Sequence, residues 1–174
     1  MVSRVGAKNR IVDSLEELGP GLITGAADDD PSGIATYSQA GIVGIDLLPT
    51  DPIDGVAILQ MDFMDEAAPE RLKEALGGPA DLVLSDMAAN TVGHQQTDHL
   101  RTMGLVEAGL EFAREVLRPG GAYVAKVLAG GADHALVAEL KRSFATVKHA
   151  KPPASRKDSS EWYVVAQGFK GTAE

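Results

Sequence analysis

From Gly41 onward, short apolar runs alternate with amphipathic stretches, and several of the runs end on an acid. Ile42 to Ile45 is followed by Asp46, Val56 to Leu59 by Gln60-Met61-Asp62, and Ala80 to Leu84 by Ser85-Asp86. Runs this short, bounded by Gly and Pro and rich in Ile, Val and Leu, read as strands of a buried parallel sheet. Between them, Ala67 to Leu76 reads as a helix stopped by Gly77-Gly78-Pro79. About Asp98 to Leu117 reads as a longer one, with Leu105, Leu110, Phe112, Ala113, Val116 and Leu117 as its core-facing stripe. Arg118-Pro119-Gly120-Gly121 ends that helix and launches Ala122 to Leu128 as a strand. A further helix, about Asp133 to Ser143, precedes Ala145 to His149 and Glu161 to Phe169, two strands joined without a helix. One of that pair, taken to be the last, is expected to run antiparallel. The alternation predicts an α/β fold with an otherwise mostly parallel sheet.

The front of the chain follows the pattern less well. Ile11, Val12, Leu15 and Leu18 have helical spacing, stopped by Gly19-Pro20-Gly21. Leu22-Ile23-Thr24 makes a very short strand, and the loop after it carries three consecutive aspartates, Asp28 to Asp30. Ile34 to Ala40 reads as a short helix. Strand, loop and helix open dinucleotide-type folds, but the Gly-x-Gly-x-x-Gly signature is absent.

Composition narrows the classes. At 174 residues the chain is expected to form one domain. It has no cysteine, which excludes disulfides, thiolate chemistry and cysteine-ligated metals, and no metal site is expected. The amino terminus lacks the apolar core of a signal peptide, and no apolar run reaches the roughly 18 residues of a membrane span. A cytoplasmic, monomeric protein is expected. The net charge of −9 argues against broad nucleic-acid binding. Yet Lys141, Arg142, Lys148, Lys151, Arg156 and Lys157 fall in one stretch without an acid. Such a patch suits a protein that touches a polyanion at one place. A solvated helix-to-strand connection accounts for it equally well.

The strand-end acids bring in chemistry. Ligands of open α/β sheets bind beyond the carboxyl ends of strands, where an acid hydrogen-bonds a ribose diol. A second acid can accept from an exocyclic amine. Singly, Asp46, Asp62 and Asp86 are turn caps; as an ordered set they describe a pocket for an adenosine group. Lys126 interrupts an apolar strand, and buried charges are rare unless paired. Glu161 opens the last strand and reaches Lys126 if that strand lies alongside. Asp86, Lys126 and Glu161 would then form a carboxylate–ammonium–carboxylate cluster, a functional-site candidate on physical grounds.

The same residues carry a resemblance. Gly44-Ile45-Asp46-Leu47-Leu48-Pro49, Gln60-Met61-Asp62-Phe63, Ser85-Asp86-Met87-Ala88-Ala89-Asn90, Pro119-Gly120-Gly121 with Ala125-Lys126-Val127, and Ser160-Glu161-Trp162-Tyr163 resemble the FtsJ-like ribosomal RNA 2′-O-methyltransferases over about residues 42–170. The resemblance implies a Rossmann-like methyltransferase sheet. It further implies methyl transfer from S-adenosylmethionine to the 2′-hydroxyl of a uridine in 23S ribosomal RNA. Asp46, Asp62 and Asp86 would contact the cofactor, and Lys126, Asp86 and Glu161 would be three of the family's four catalytic residues. The large ribosomal subunit would be the partner, met by the basic stretch.

Residues 1–41 depart from that family, whose first strand and Gly-Ala-Ala-Pro-Gly-Gly-Trp loop are replaced here. Leu18 to Gly33 with Tyr37-Ser38-Gln39-Ala40-Gly41 resembles the start of Nramp-type metal transporters, Asp30 matching a metal-binding position. The expected organisation is an atypical segment, 1–41, ahead of a methyltransferase unit, 42–174. Lys8 has a spacing reminiscent of the missing first catalytic lysine. Without the family's first strand the sheet centre is expected to be poorly covered. Asp28 to Asp30 would oppose a bound carboxylate by about 4 kcal/mol per charge before screening, so cofactor affinity is expected to be poor. A non-catalytic RNA-binding remnant is the second reading. A transporter fragment is the third, and one broken helix alone cannot transport.

Overall fold

The computed structural model describes residues 34–38, 41–88, 94–128, 134–151 and 160–171. The predicted helix at residues 9–18, the strand at 22–24, Lys8, Asp28 to Asp30, Arg156 and Lys157 lie outside the described residues. Within them the chain forms β1 (Ile34–Ser38), β2 (Gly41–Asp46), β3 (Val56–Gln60), α1 (Ala68–Leu76), β4 (Ala80–Ser85), α2 (Gln95–Val116), β5 (Leu117–Leu128), α3 (His134–Ser143), β6 (Phe144–Ala150) and β7 (Glu161–Phe169). The strands make one sheet in the order β3-β2-β1-β4-β5-β7-β6.

Five of the seven strands point one way. β2 pairs parallel with β3 and β4 with β5, while β7 runs against both β5 and β6. The expected antiparallel final strand is therefore present, inserted between β5 and β6. A second reversed strand was not anticipated. Ile34–Ser38, read from sequence as a short helix, is a strand that pairs antiparallel with β2 on one side and β4 on the other. The centre of the sheet is thus closed, not left open. Two flanking strands with free N–H and C=O groups overrode the weak helical spacing of five residues, because each backbone group in a sheet centre requires a partner. Only two residues separate β1 from β2, so no helix connects them.

The helices obey their predicted punctuation. α1 begins with Pro69 in its first turn and ends at Gly77, whose φ of 66° is the left-handed conformation that a helix stop uses. α2 starts a few residues earlier than its apolar stripe suggests. Leu72 and Leu76 of α1, Val106, Leu110 and Ala113 of α2, and Leu136 and Leu140 of α3 all join Val83, Tyr123, Ala125, Val127, Val164 and Ala166 in the main core. The opposite face holds a smaller cluster, in which Leu82, Ala122 and Val124 pack with Leu84, Tyr163 and Val165 and no described helix contributes. Asp81, the one acid inside the β4 apolar run, is buried at the start of that strand and accepts from the Arg118 guanidinium. Among the described residues, no helix is long and apolar enough to cross a membrane.

Candidate active site

β4 and β5 run parallel with Ser85 level with Ala125, so Asp86 comes level with Lys126 at the carboxyl edge of the sheet. β7 returns antiparallel, placing Tyr163 opposite Lys126 and Glu161 opposite Leu128. Side chains alternate along strands. Asp86, Lys126, Glu161 and Tyr163 therefore project on the same face, the one the described helices leave uncovered.

Their geometry is that of a built cluster. Lys126 is 7% exposed, and its Nζ lies 3.3 Å from Asp86 Oδ1 and 3.5 Å from Glu161 Oε1. An ammonium at that depth would cost several kcal/mol alone, and flanking carboxylates offset the loss of water. The Tyr163 hydroxyl donates to Asp86 Oδ1 at 2.6 Å. Burial, then the hydrogen bond to Asp86, then the negative charges of Asp86 and Glu161 push the Tyr163 phenol well above its ordinary value, so it stays protonated and remains a donor. Neighbours fix the rest: Asp86 is flanked by buried Ser85 and Met87, Lys126 by fully buried Ala125 and Val127.

Asp46 and Asp62 sit at the same edge but form a separate group. β1 intervenes between Asp46 on β2 and Asp86 after β4, and two strand spacings are roughly 10 Å. Asp46 Oδ1 accepts from the Leu48 N–H at 2.9 Å and Asp62 Oδ1 from the Met64 N–H at 2.8 Å. Each caps its own turn. The Met61 N–H donates to the Asp46 carbonyl at 2.9 Å, tying the two strand ends together. Phe63 packs edge-on against Phe112 of α2, with ring centroids 5.8 Å apart, which fixes the segment carrying Asp62.

The basic residues are distributed differently from a single patch. Lys141 and Arg142 are exposed at the end of α3, on the sheet edge opposite the cluster, where Lys170 Nζ donates to both of their carbonyls. Lys148 is exposed along β6. Of that stretch's described bases, Lys151 reaches the site edge, with its Nζ 5.7 Å from the centroid of the Trp162 ring. Contiguity in sequence did not become contiguity in space, because β6 runs the width of the sheet between them.

Tyr163 is the residue that sequence reasoning left without a role. Its signal was available: in a strand beginning at Glu161, the residue two positions on shares its face.

A sheet of this order, with acids at the carboxyl edge and a buried lysine between carboxylates, defines an α/β methyltransferase fold. A family model described as FtsJ-like methyltransferase matches residues 31–169, and the chain belongs to that family. It is 63% identical to "Ribosomal RNA large subunit methyltransferase E" of Novosphingobium aromaticivorans over 95% of this chain and 80% of that protein. It is 85% identical to the protein of the same name from Rhizorhabdus wittichii, over 78% of this chain and 59% of that one. The chain spans about three fifths of the length of several curated relatives that it matches. Among solved structures, a Plasmodium falciparum protein described as a ribosomal RNA methyltransferase superposes with a TM-score of 0.65 at 29% identity, over 75% of this chain and 72% of that one.

Proposed function

We propose that this chain carries the catalytic centre of a ribosomal RNA 2′-O-methyltransferase acting on a uridine of 23S RNA in the large subunit, with S-adenosylmethionine as methyl donor. The observation that carries the reading is the Lys126 ammonium held between Asp86 and Glu161 at the carboxyl edge of the sheet. A ribose hydroxyl attacking a methyl group must be oriented in line and must lose its proton. In this reading Lys126 holds that hydroxyl oxygen. Asp86 and Glu161 fix the direction of the ammonium, and Tyr163 fixes Asp86. Residues 42–174 would be the methyltransferase unit and residues 1–41 an atypical segment, of which Ile34–Ser38 lends its backbone to the sheet.

The cofactor is supported at one end only. Asp46 and Asp62, acids at the adjoining ends of β2 and β3, suit a ribose diol and an exocyclic amine. The methionine end needs a strand, a loop and the N-terminus of a helix, and the two-residue link between β1 and β2 leaves no place for that helix. The described residues thus do not fit the methionine moiety. The prediction is weak binding of S-adenosylmethionine. The same misfit favours a second reading, an RNA-binding remnant without transfer.

Two measurements separate these readings. Radiolabel from S-adenosylmethionine is followed into isolated large subunits with wild-type chain and with Lys126→Ala, while calorimetry follows cofactor binding. Transfer by the wild type that is lost in Lys126→Ala, with an unchanged circular dichroism spectrum, supports the enzyme. Full activity in Lys126→Ala sinks it. RNA binding with no cofactor heat and no transfer supports the remnant.

A further inference from the structure

We propose that Trp162 is a stacking platform for an unpaired RNA base beside the target nucleotide, with Lys151 as its cationic partner. This deepens the RNA reading above and rests on it. Trp162 directly follows Glu161 on β7 and pairs in register with Val127, the residue after Lys126. Its side chain therefore leaves the strand on the face opposite the Lys126 cluster but at the same edge of the sheet. It is 38% exposed, although the rest of the β7 aromatic and aliphatic side chains are buried or half-buried.

A single exposed aromatic needs no explanation by itself. Here a second feature accompanies it. Lys151 Nζ stands 5.7 Å from the ring centroid, within cation–π range. This puts a positive charge beside an exposed π-face on a chain whose net charge is −9. A polyanion with flat apolar groups is the ligand chemistry that matches. RNA read as unstacked nucleotides offers both, since bases stack on aromatic rings while phosphates meet lysines. The target ribose would lie on the Lys126 side of the edge and a neighbouring base on the Trp162 side, so the strand end would wedge between consecutive nucleotides.

Trp162 is the single tryptophan of the chain, so its emission reports this site alone. The experiment titrates the full chain with a short fluorescein-labelled single-stranded RNA containing uridine. Anisotropy gives binding and tryptophan emission gives stacking. The expected result is quenching that saturates with the anisotropy signal. Trp162→Ala should weaken RNA binding about five- to one-hundred-fold, the range expected for loss of one base–aromatic stack, and Trp162→Phe should recover much of it. In methyl-transfer assays the larger change should fall on KM. Saturated RNA binding with unchanged emission, wild-type affinity in Trp162→Ala, or no RNA binding at all overturns the proposal. Transfer without quenching would remove this inference and leave the enzyme reading standing. Quenching without transfer would do the reverse.

Discussion

β5 has two faces that share one backbone and do different things. Tyr123, Ala125 and Val127 point to the helices, and each is completely buried. Ala122, Val124 and Lys126 point the other way, the first two to a small apolar cluster and the third to the carboxylates. On the helix side the polar atom of Tyr123 is absorbed, its hydroxyl donating to the Val106 carbonyl at 2.8 Å. On the other side the polar atoms of Lys126, Asp86 and Glu161 are gathered at the edge, where a ligand can reach them. If the proposed site is right, the helix face sets stability and the opposite face sets chemistry, so damage to each should read out in a different assay.

The largest effects should come from splitting that division. Leu110→Ala on the helix face should cost about 2–5 kcal/mol of stability, seen as a large fall in the denaturant midpoint, with the wild-type turnover per folded molecule. Asp86→Asn on the other face should lower methyl transfer by about a hundredfold or more, while moving the midpoint far less. If Asp86→Asn unfolds the chain as readily as Leu110→Ala, the faces are not separable.

A finer probe is Gly109→Ala. A Cβ there would stand 2.7 Å from the Tyr123 hydroxyl, which cannot retreat without leaving the Val106 carbonyl. About 1–3 kcal/mol of destabilisation is expected, and Tyr123→Phe in the same background should relieve part of it. Tyr163→Phe removes one hydrogen bond to Asp86, worth about 1 kcal/mol. It should lower transfer by roughly an order of magnitude at most and leave thermal stability nearly unchanged.

The smallest expected effect is alkaline. Burial raises the phenols of Tyr123 and Tyr163 above the ordinary value near 10. The unfolded chain releases those protons first, so stability should be intact below about pH 10 and fall as pH climbs beyond it. Tyr123→Phe should flatten that decline; an unaltered pH profile would count against the assignment.

Much of this was readable in the chain. Binary patterning and Gly/Pro punctuation determined the strands from β2 onward, the three described helices and the antiparallel β7, because period and turn chemistry are local. The buried lysine was legible for a similar reason: an ammonium amid Tyr-Val-Ala and Val-Leu is anomalous wherever the strand ends up. Three things needed the assembled sheet. The direction of β1 depended on which strands flank it, since five residues of weak pattern take the conformation that satisfies their neighbours' backbone groups. The joining of Glu161 and Tyr163 to Lys126 depended on β7 inserting beside β5. The separation of Lys141 and Arg142 from Lys151 depended on β6 spanning the sheet. Local residue choice settles what each element is, but register and strand order decide which side chains meet, because those are fixed only by pairing between segments distant along the chain.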